Sequence, residues 1–408
     1  MPVLINPSRP CAVPADARAL LQRFGLTTAT LLTTDRQSPK LRHGQAEARA
    51  VILHHLPARA LAAAITPATD GTTPARSFVP ALFELAEVNG LIAAARRHDG
   101  CPWATNGCAM GCLNWSGHGG LNVSGSTCRG RRTLALIADP AVYGRAVLWS
   151  VLRHLLRARR DGLPLACRLR GTDDHPWHTH RVPISEAEAE AIAARYGVDV
   201  TPGVQTMAAR LAALSELRPY EYSKAPTAGP LGLISQRDAG ADITASFAAD
   251  RATAAADGIA AIRAGFRLAV PVALRKGDPV PSPLTLPCNR DSITVPAIDG
   301  DQSDHRWADP HAVACILRTK RSRGAGPEAD AFSLAAHGLP QYLADGPAML
   351  AWPACPRPLP RRPAAPAPAP DRVGAFYCPS TGCGPCEALR GPPPCAGTVT
   401  PAGMPRPA

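Results

Sequence analysis

Leu165-Ala-Cys-Arg-Leu169, running on into Arg170-Gly-Thr-Asp-Asp174, is the stretch on which the fold turns. A short apolar run that gives way to a glycine-containing polar cluster reads as a buried strand opening into a loop. The unit recurs downstream. Pro219 to Ser223 runs into Lys224, Asp242 to Phe247 carries Ser246 near its end, and Phe266 to Leu274 is rich in Val. Ile293 to Ile298 opens into Asp299-Gly-Asp301-Gln-Ser-Asp304-His305-Arg306, and Val313 to Arg318 closes the series. Helical stretches lie between them: Ser185 to Tyr196, opened by a Ser185/Glu188 capping box, then Val204 to Leu217 and Ala252 to Ala264. Short strands alternating with helices imply parallel strands joined by right-handed crossovers. The predicted fold is α/β, a full or partial (β/α) barrel over about 100 to 335.

Upstream, Ala15 to Phe24 has helical spacing, Thr27 to Thr34 is β-branched enough for a strand, and Ala46 to Ala64 reads as a strand followed by a helix. Thr66 to Arg76 reads as a loop. Val79 to Arg97 reads as a helix that Asn89-Gly90 can split in two. Asn122 to Arg132 reads as a polar, glycine-rich link. Asp139-Pro140 then opens a long amphipathic helix with Val142, Ala146, Trp149, Leu152, Leu155 and Leu156 near one face, ended by Gly162. From Trp352 the composition shifts. Pro356 to Pro370 is too proline-rich for a helix or a ladder and is expected to be a disordered tail, beyond which Cys378, Cys383, Cys386 and Cys395 leave a zinc knot conceivable. The expected division is an N-terminal region over 1–94, an α/β core over 95–350 and the tail over 351–408.

The chain has 408 residues, 46% of them hydrophobic and only 5% aromatic, so its core is expected to be built from Ala, Leu, Val and Ile. A formal net charge of +12 suits a nucleic-acid partner, although the arginines are dispersed rather than gathered on one motif. No run of eighteen apolar residues exists, so no membrane span is expected. The start, Met1-Pro-Val-Leu-Ile-Asn-Pro7, lacks the charged-plus-apolar order of a secretory signal, which points to a reducing, cytoplasmic setting. There a cysteine cluster is metal-binding or catalytic more often than bridged.

Such a cluster exists. Cys101, Cys108 and Cys112 fall within twelve residues, separated by Pro102, Gly107 and Gly111, in a stretch that continues through Leu113-Asn-Trp-Ser-Gly-His118. That spacing suits a loop whose sulfurs converge on a soft metal, either an iron–sulfur cluster or zinc. It matches neither a zinc-finger half-site nor the usual spacing of radical S-adenosylmethionine enzymes.

Four polar clusters follow strands, and parallel sheets bind ligands at the carboxyl edge because the loops converge there. The candidate substrate-binding residues are Arg168, Arg170, Thr172, Asp174, Ser246, Asp299, Asp301, Asp304 and Arg306. Lys224 and Asp173 are the candidate catalytic groups. Each also has a plainer reading: Asp173 and Asp174 as caps of the next segment, Lys224 as a solvated loop residue, and the acidic loop as the partner of Arg306. That loop lacks the central glycine and terminal Glu of a calcium site. His175, His178 and His180 bracket Trp177, a run more often found in a surface loop than on a metal. Cys167 and Cys315 read as small core residues. No Walker loop, Rossmann fingerprint or nucleophile elbow is present.

Taken in order, Cys101, Cys108 and Cys112, then Arg168 to Asp174, Tyr220-Glu-Tyr-Ser-Lys224, Thr244-Ala-Ser246-Phe247 and Ile298 to Arg306, with Asp309-Pro310 and Leu317 to Lys320, make a set. This set resembles a family of unknown function carried by phages and plasmids, the gene product 88 type. The chain departs from that pattern at His118, Asp173 and Ser223, where the family carries Arg, Ser and Thr. The resemblance implies a mobile-element protein and transfers no reaction.

Three readings stand side by side. In the first, Cys101, Cys108 and Cys112 hold an iron–sulfur cluster on a barrel related to radical S-adenosylmethionine enzymes, with one iron open to S-adenosylmethionine. In the second, zinc is structural, His118 or Cys128 supplies the fourth ligand, and the basic surface binds nucleic acid. In the third, the thiols are reduced residues without metal.

Overall fold

The computed structural model describes residues 13–42, 47–67, 78–105, 107–108, 112, 123–251, 253–272, 274, 277–280, 282–288 and 291–319. His118, most of the 66–76 loop, Lys320, and the tail with its cysteines lie outside the described residues.

The strands are β1 (Thr33–Thr34), β2 (Arg49–Ile52), β3 (Leu165–Arg168), β4 (Arg181–Ile184), β5 (Gly203–Thr206) and β6 (Leu217–Ser223). They continue with β7 (Asp242–Ser246), β8 (Arg267–Val272), β9 (Leu284–Cys288), β10 (Asp291–Val295), β11 (Ala297–Asp299) and β12 (Ala314–Arg318). Eight of them make one sheet in the order β1-β2-β3-β6-β7-β8-β12-β11. β1 runs antiparallel to β2, and every other pairing in that sheet is parallel. The α/β expectation therefore holds, but the closed barrel does not form. Closure needs the outer edges of β2 and β12 to meet, and each is already taken, by β1 and by β11. Strands from the first 94 residues belong to the same sheet as the rest.

The helices are α1 (Ala15–Arg23), α2 (Pro39–Arg42), α3 (Ala58–Ala64), α4 (Pro80–Val88), α5 (Ile92–Arg97) and α6 (Val123–Ala138). After them come α7 (Pro140–Arg160), α8 (Glu186–Tyr196), α9 (Met207–Ala212), α10 (Leu233–Asp238) and α11 (Ala254–Arg263). Asp139 starts α7 as read, its Oδ1 accepting from the Val142 N–H at 3.0 Å, with Pro140 in the first turn. Removing such a cap costs about 1 kcal/mol. The α7 face holding Tyr143, Val147, Val151 and Leu155 shares a core with Leu165, Cys167 and Leu169. A second core joins Ile243, Ala245, Leu268, Val270 and Val272 to Ile259 and Ile262 of α11. On the opposite face of the sheet, Ile52, Ala166 and Tyr220 pack with Leu41.

Four elements differ from expectation, each for a local reason. Residues 123–132 are not a link but most of α6, and Gly130 serves close packing, since a Cβ there would collide with Leu82 of α4. Pro296 divides Ile293 to Ile298 in two: it lacks a donor N–H, so β10 stays in a hairpin with β9 while β11 joins the main sheet. Val204 to Leu217 gives β5, paired antiparallel with β4 across the intervening α8, before the short α9. Thr27 to Thr34 is mostly turn, because the Thr27 N–H donates to Thr30 Oγ1 at 3.0 Å and competes with a ladder.

Candidate functional site

At the carboxyl edge, β2 runs into His54-His55, β3 into Arg168 to Asp174, β6 into Lys224 and β7 into Phe247. The cysteine loop is tied down over this edge by three links. Asp174 donates its N–H to the Gly100 carbonyl at 2.6 Å, and Gly107 donates its N–H to Asp250 Oδ2 at 2.8 Å. Arg251 donates to the Trp103 carbonyl at 2.7 Å and to the Lys224 carbonyl at 3.1 Å, joining loop and strand end with one guanidinium.

Cys101 and Cys108 thus meet Lys224 and Asp174. Burial pushes the Cys101 thiol well up, and the charges of Asp174, Asp173, Cys112 and Cys108 add to the effect. Cys101 is therefore a neutral thiol at pH 7. Burial works to lower the Lys224 ammonium, but Cys108 and Asp174 overcome it, with a hydrogen bond from the ammonium to the Cys108 sulfur, so the net shift is upward. Lys224 is a fixed cation rather than an amine nucleophile. Burial raises Asp174, opposed by Lys224 and Arg170. Cys128, on α6, shares with Cys112 an electrostatic contact to Arg129. Among the described residues, no group of three or more His, Cys, Asp and Glu is arranged to hold a metal ion.

The remaining candidates are placed but largely engaged. Arg168 donates to the Arg170 carbonyl at 2.8 Å, pairs with Asp304 at 3.3 Å and lies 4.3 Å from the Tyr222 ring. Arg170 donates to the His175 carbonyl at 2.8 Å and to Gln236 Oε1 at 2.6 Å. Thr172 donates to the His55 carbonyl. Ser246 lines a small depression with Lys224, Arg251, Phe247 and Gly258. Asp299 and Asp301 lie away from the thiols: Asp299 pairs with Arg318 at 2.8 Å, and Asp301 accepts the Arg318 N–H at 2.7 Å. Arg306 pairs with Asp309 at 2.8 Å. Arg306 also donates to the Ser303 carbonyl and feels the charge of Asp304, so the acidic loop is held by Arg306 as read and, in addition, by Arg318 and Arg168.

The histidine run is not a surface loop. His175, His178 and His180 are buried around Trp177, with His175 Nε2 3.0 Å from His180 Nδ1 and His180 Nε2 2.9 Å from the Pro140 carbonyl. Burial lowers His178 and His180 to about 4 each. The sequence reading also missed Glu221, His55 and Tyr143. Glu221 is buried in β6 and accepts the N–H groups of Leu169 and Arg170, both at 2.8 Å, which fixes the turn out of β3. Its signal was a lone Glu between Tyr220 and Tyr222. His55 is held by Asp173, 118 residues away, and no local pattern announces that contact.

No family model, curated protein or solved structure matches the chain. Among the described residues no helix is long and apolar enough to cross a membrane.

Proposed function

We propose that the chain is a mobile-element protein of the phage or plasmid type that takes an iron–sulfur cluster on Cys101, Cys108 and Cys112, in a reducing, cytoplasmic setting. The observation that carries this reading is the seating of the cysteine loop on the carboxyl edge of a parallel sheet, beside Lys224 and Asp174. Three soft donors within electrostatic reach of one another suit the group in kind. The described arrangement is not a closed ligand set, so uptake has to draw the sulfurs together.

The order of the strands supports a radical S-adenosylmethionine-like class as the finer proposal. β2, β3, β6, β7, β8 and β12 lie side by side in chain order, as the strands of a partial (β/α) barrel do. A cluster with three thiol ligands leaves one iron open to a small molecule such as S-adenosylmethionine. Lys224 then offsets thiolate charge, and Ser246 with Arg251 borders the space where a substrate would lie.

Anaerobic purification, metal analysis and a visible spectrum, repeated on a Cys101/Cys108/Cys112 triple alanine variant, test the reading. Iron and sulfide in the wild type, lost in the variant, are expected. Colourless protein with about one zinc would instead favour a structural site, and salt-sensitive DNA binding would then be measured on account of the +12 charge. Metal-free protein in both preparations sinks both metal readings.

A further inference from the structure

Next to the thiols lies a hydrogen-bonded chain that contains no thiol. Asp173 Oδ2 is 2.9 Å from His55 Nδ1, and His55 Nε2 is 3.0 Å from the Tyr143 hydroxyl. The side chains of His55 and Asp173 are 0% and 1% exposed, and Tyr143 is fully buried. Three elements contribute one member each: the end of β2, the loop after β3 and the first turns of α7. Trp177 stacks on the imidazole at 6.0 Å and fixes its plane.

The proton positions follow from the geometry. Burial drives the Tyr143 phenol upward, so it keeps its proton and donates it to His55 Nε2. We accordingly assign His55 the Nδ1–H tautomer, which donates to Asp173 Oδ2. The other oxygen, Oδ1 of Asp173, is buried and has no hydrogen-bond partner. The titratable groups that feel the charge of Asp173 include His98 and Cys101, and Lys224 is engaged by Cys108 and Asp174. A buried carboxylate oxygen left in this state is unfavourable, and its orientation is held by two further residues.

We propose that Tyr143, His55 and Asp173 form a preset acceptor whose open end, Oδ1 of Asp173, receives an N–H of a primary amine bound between the cysteine loop and the carboxyl edge. A primary ammonium returns both the missing hydrogen bond and the missing positive charge, which a neutral hydroxyl does not. Asp173 is the ligand-contacting group, while His55 and Tyr143 are positioning residues. The acceptor needs no metal, so it stands or falls separately from cluster binding.

The test uses the metal-free full-length chain labelled with 15N-histidine, with methylamine as probe and tetramethylammonium as a control of equal charge without an N–H. The expected wild-type spectrum shows His55 protonated on Nδ1, and methylamine shifts that resonance saturably while tetramethylammonium does not. Asp173→Asn is expected to weaken methylamine at least tenfold by calorimetry. Tyr143→Phe, which leaves Asp173 in place, is expected to move the Nε2 resonance and weaken methylamine roughly threefold. An Nε2-protonated His55, no saturable methylamine effect, or equal effects in wild type and Asp173→Asn would overturn the proposal. Should Asp173→Asn fail to fold, Tyr143→Phe decides: an unmoved Nε2 resonance with unchanged methylamine affinity has the same meaning.

Discussion

Burial lifts the Glu221 carboxyl to about 7, against the pull of Arg170 and the two N–H donors, so near neutral pH it exchanges its proton. Its folded value lies above the unfolded value of 4.5, so its contribution to stability is complete below pH 4.5 and is lost as pH rises through 7. A shift of that size corresponds to about 3 kcal/mol. Urea unfolding at about pH 5 and pH 8 is expected to show wild type losing roughly that much relative to Glu221→Gln. Equal pH responses in the two proteins would contradict the assignment. A second outcome belongs to Lys224: replacing it with Met strands the buried Asp174 and is expected to cost about 3–5 kcal/mol by the same measurement. At this scale the sequence announces residue types but not their partners. Cys167 and Cys315 read correctly as core residues, because an apolar strand decides that locally. Asp173 was singled out without His55, since only the folded chain joins positions 118 residues apart.

Elements were legible where their ends carry their own chemistry. The Ser185/Glu188 box is present in both directions, at 3.2 Å from the Glu188 N–H to Ser185 Oγ and 3.0 Å from the Ser185 N–H to Glu188 Oε2. The split at Asn89-Gly90 is also found, with Gly90 at φ +65° between α4 and α5. Glycine misled where it serves a neighbour instead of a turn. Gly130 reads as a link yet sits inside α6, where its missing side chain admits Leu82. Gly130→Ala is expected to destabilise by about 1–3 kcal/mol despite its better helix propensity, and adding Leu82→Ala should offset part of that loss. A stabilised Gly130→Ala protein in thermal melts would show that α4 and α6 are not packed this closely.

For the molecule as a whole, acid stability is set by imidazoles. His98, His178 and His180 are each lowered by burial from 6.5 to about 4. Their folded values lie below the unfolded one, so the unfolded chain binds more protons between pH 6.5 and 4 and stability falls as pH drops through that window. Each contributes up to about 1.4 kcal/mol per pH unit, and three of them outweigh the opposite trend of Glu221. Unfolding free energy measured from pH 7 down to 4 is expected to decline steeply, and a flat profile would show that the histidines are not held neutral. The parallel sheet was readable from alternation alone, whereas its failure to close was not, because β1 and β11 are only two and three residues long.

The short β11 is also an outer strand of the eight-stranded sheet. β11 ends at Asp299, whose carboxylate is held by Arg318 of the adjoining strand. An acidic group fixed at the rim makes a second ladder costly to add, so the outermost strand does not template another chain. Replacing Asp299 with Val would strip that guard while suiting the strand itself, and light scattering should then report association that grows with protein concentration. The salt link that looks like a detail of loop geometry is, on this view, a guard on the rim of an open sheet.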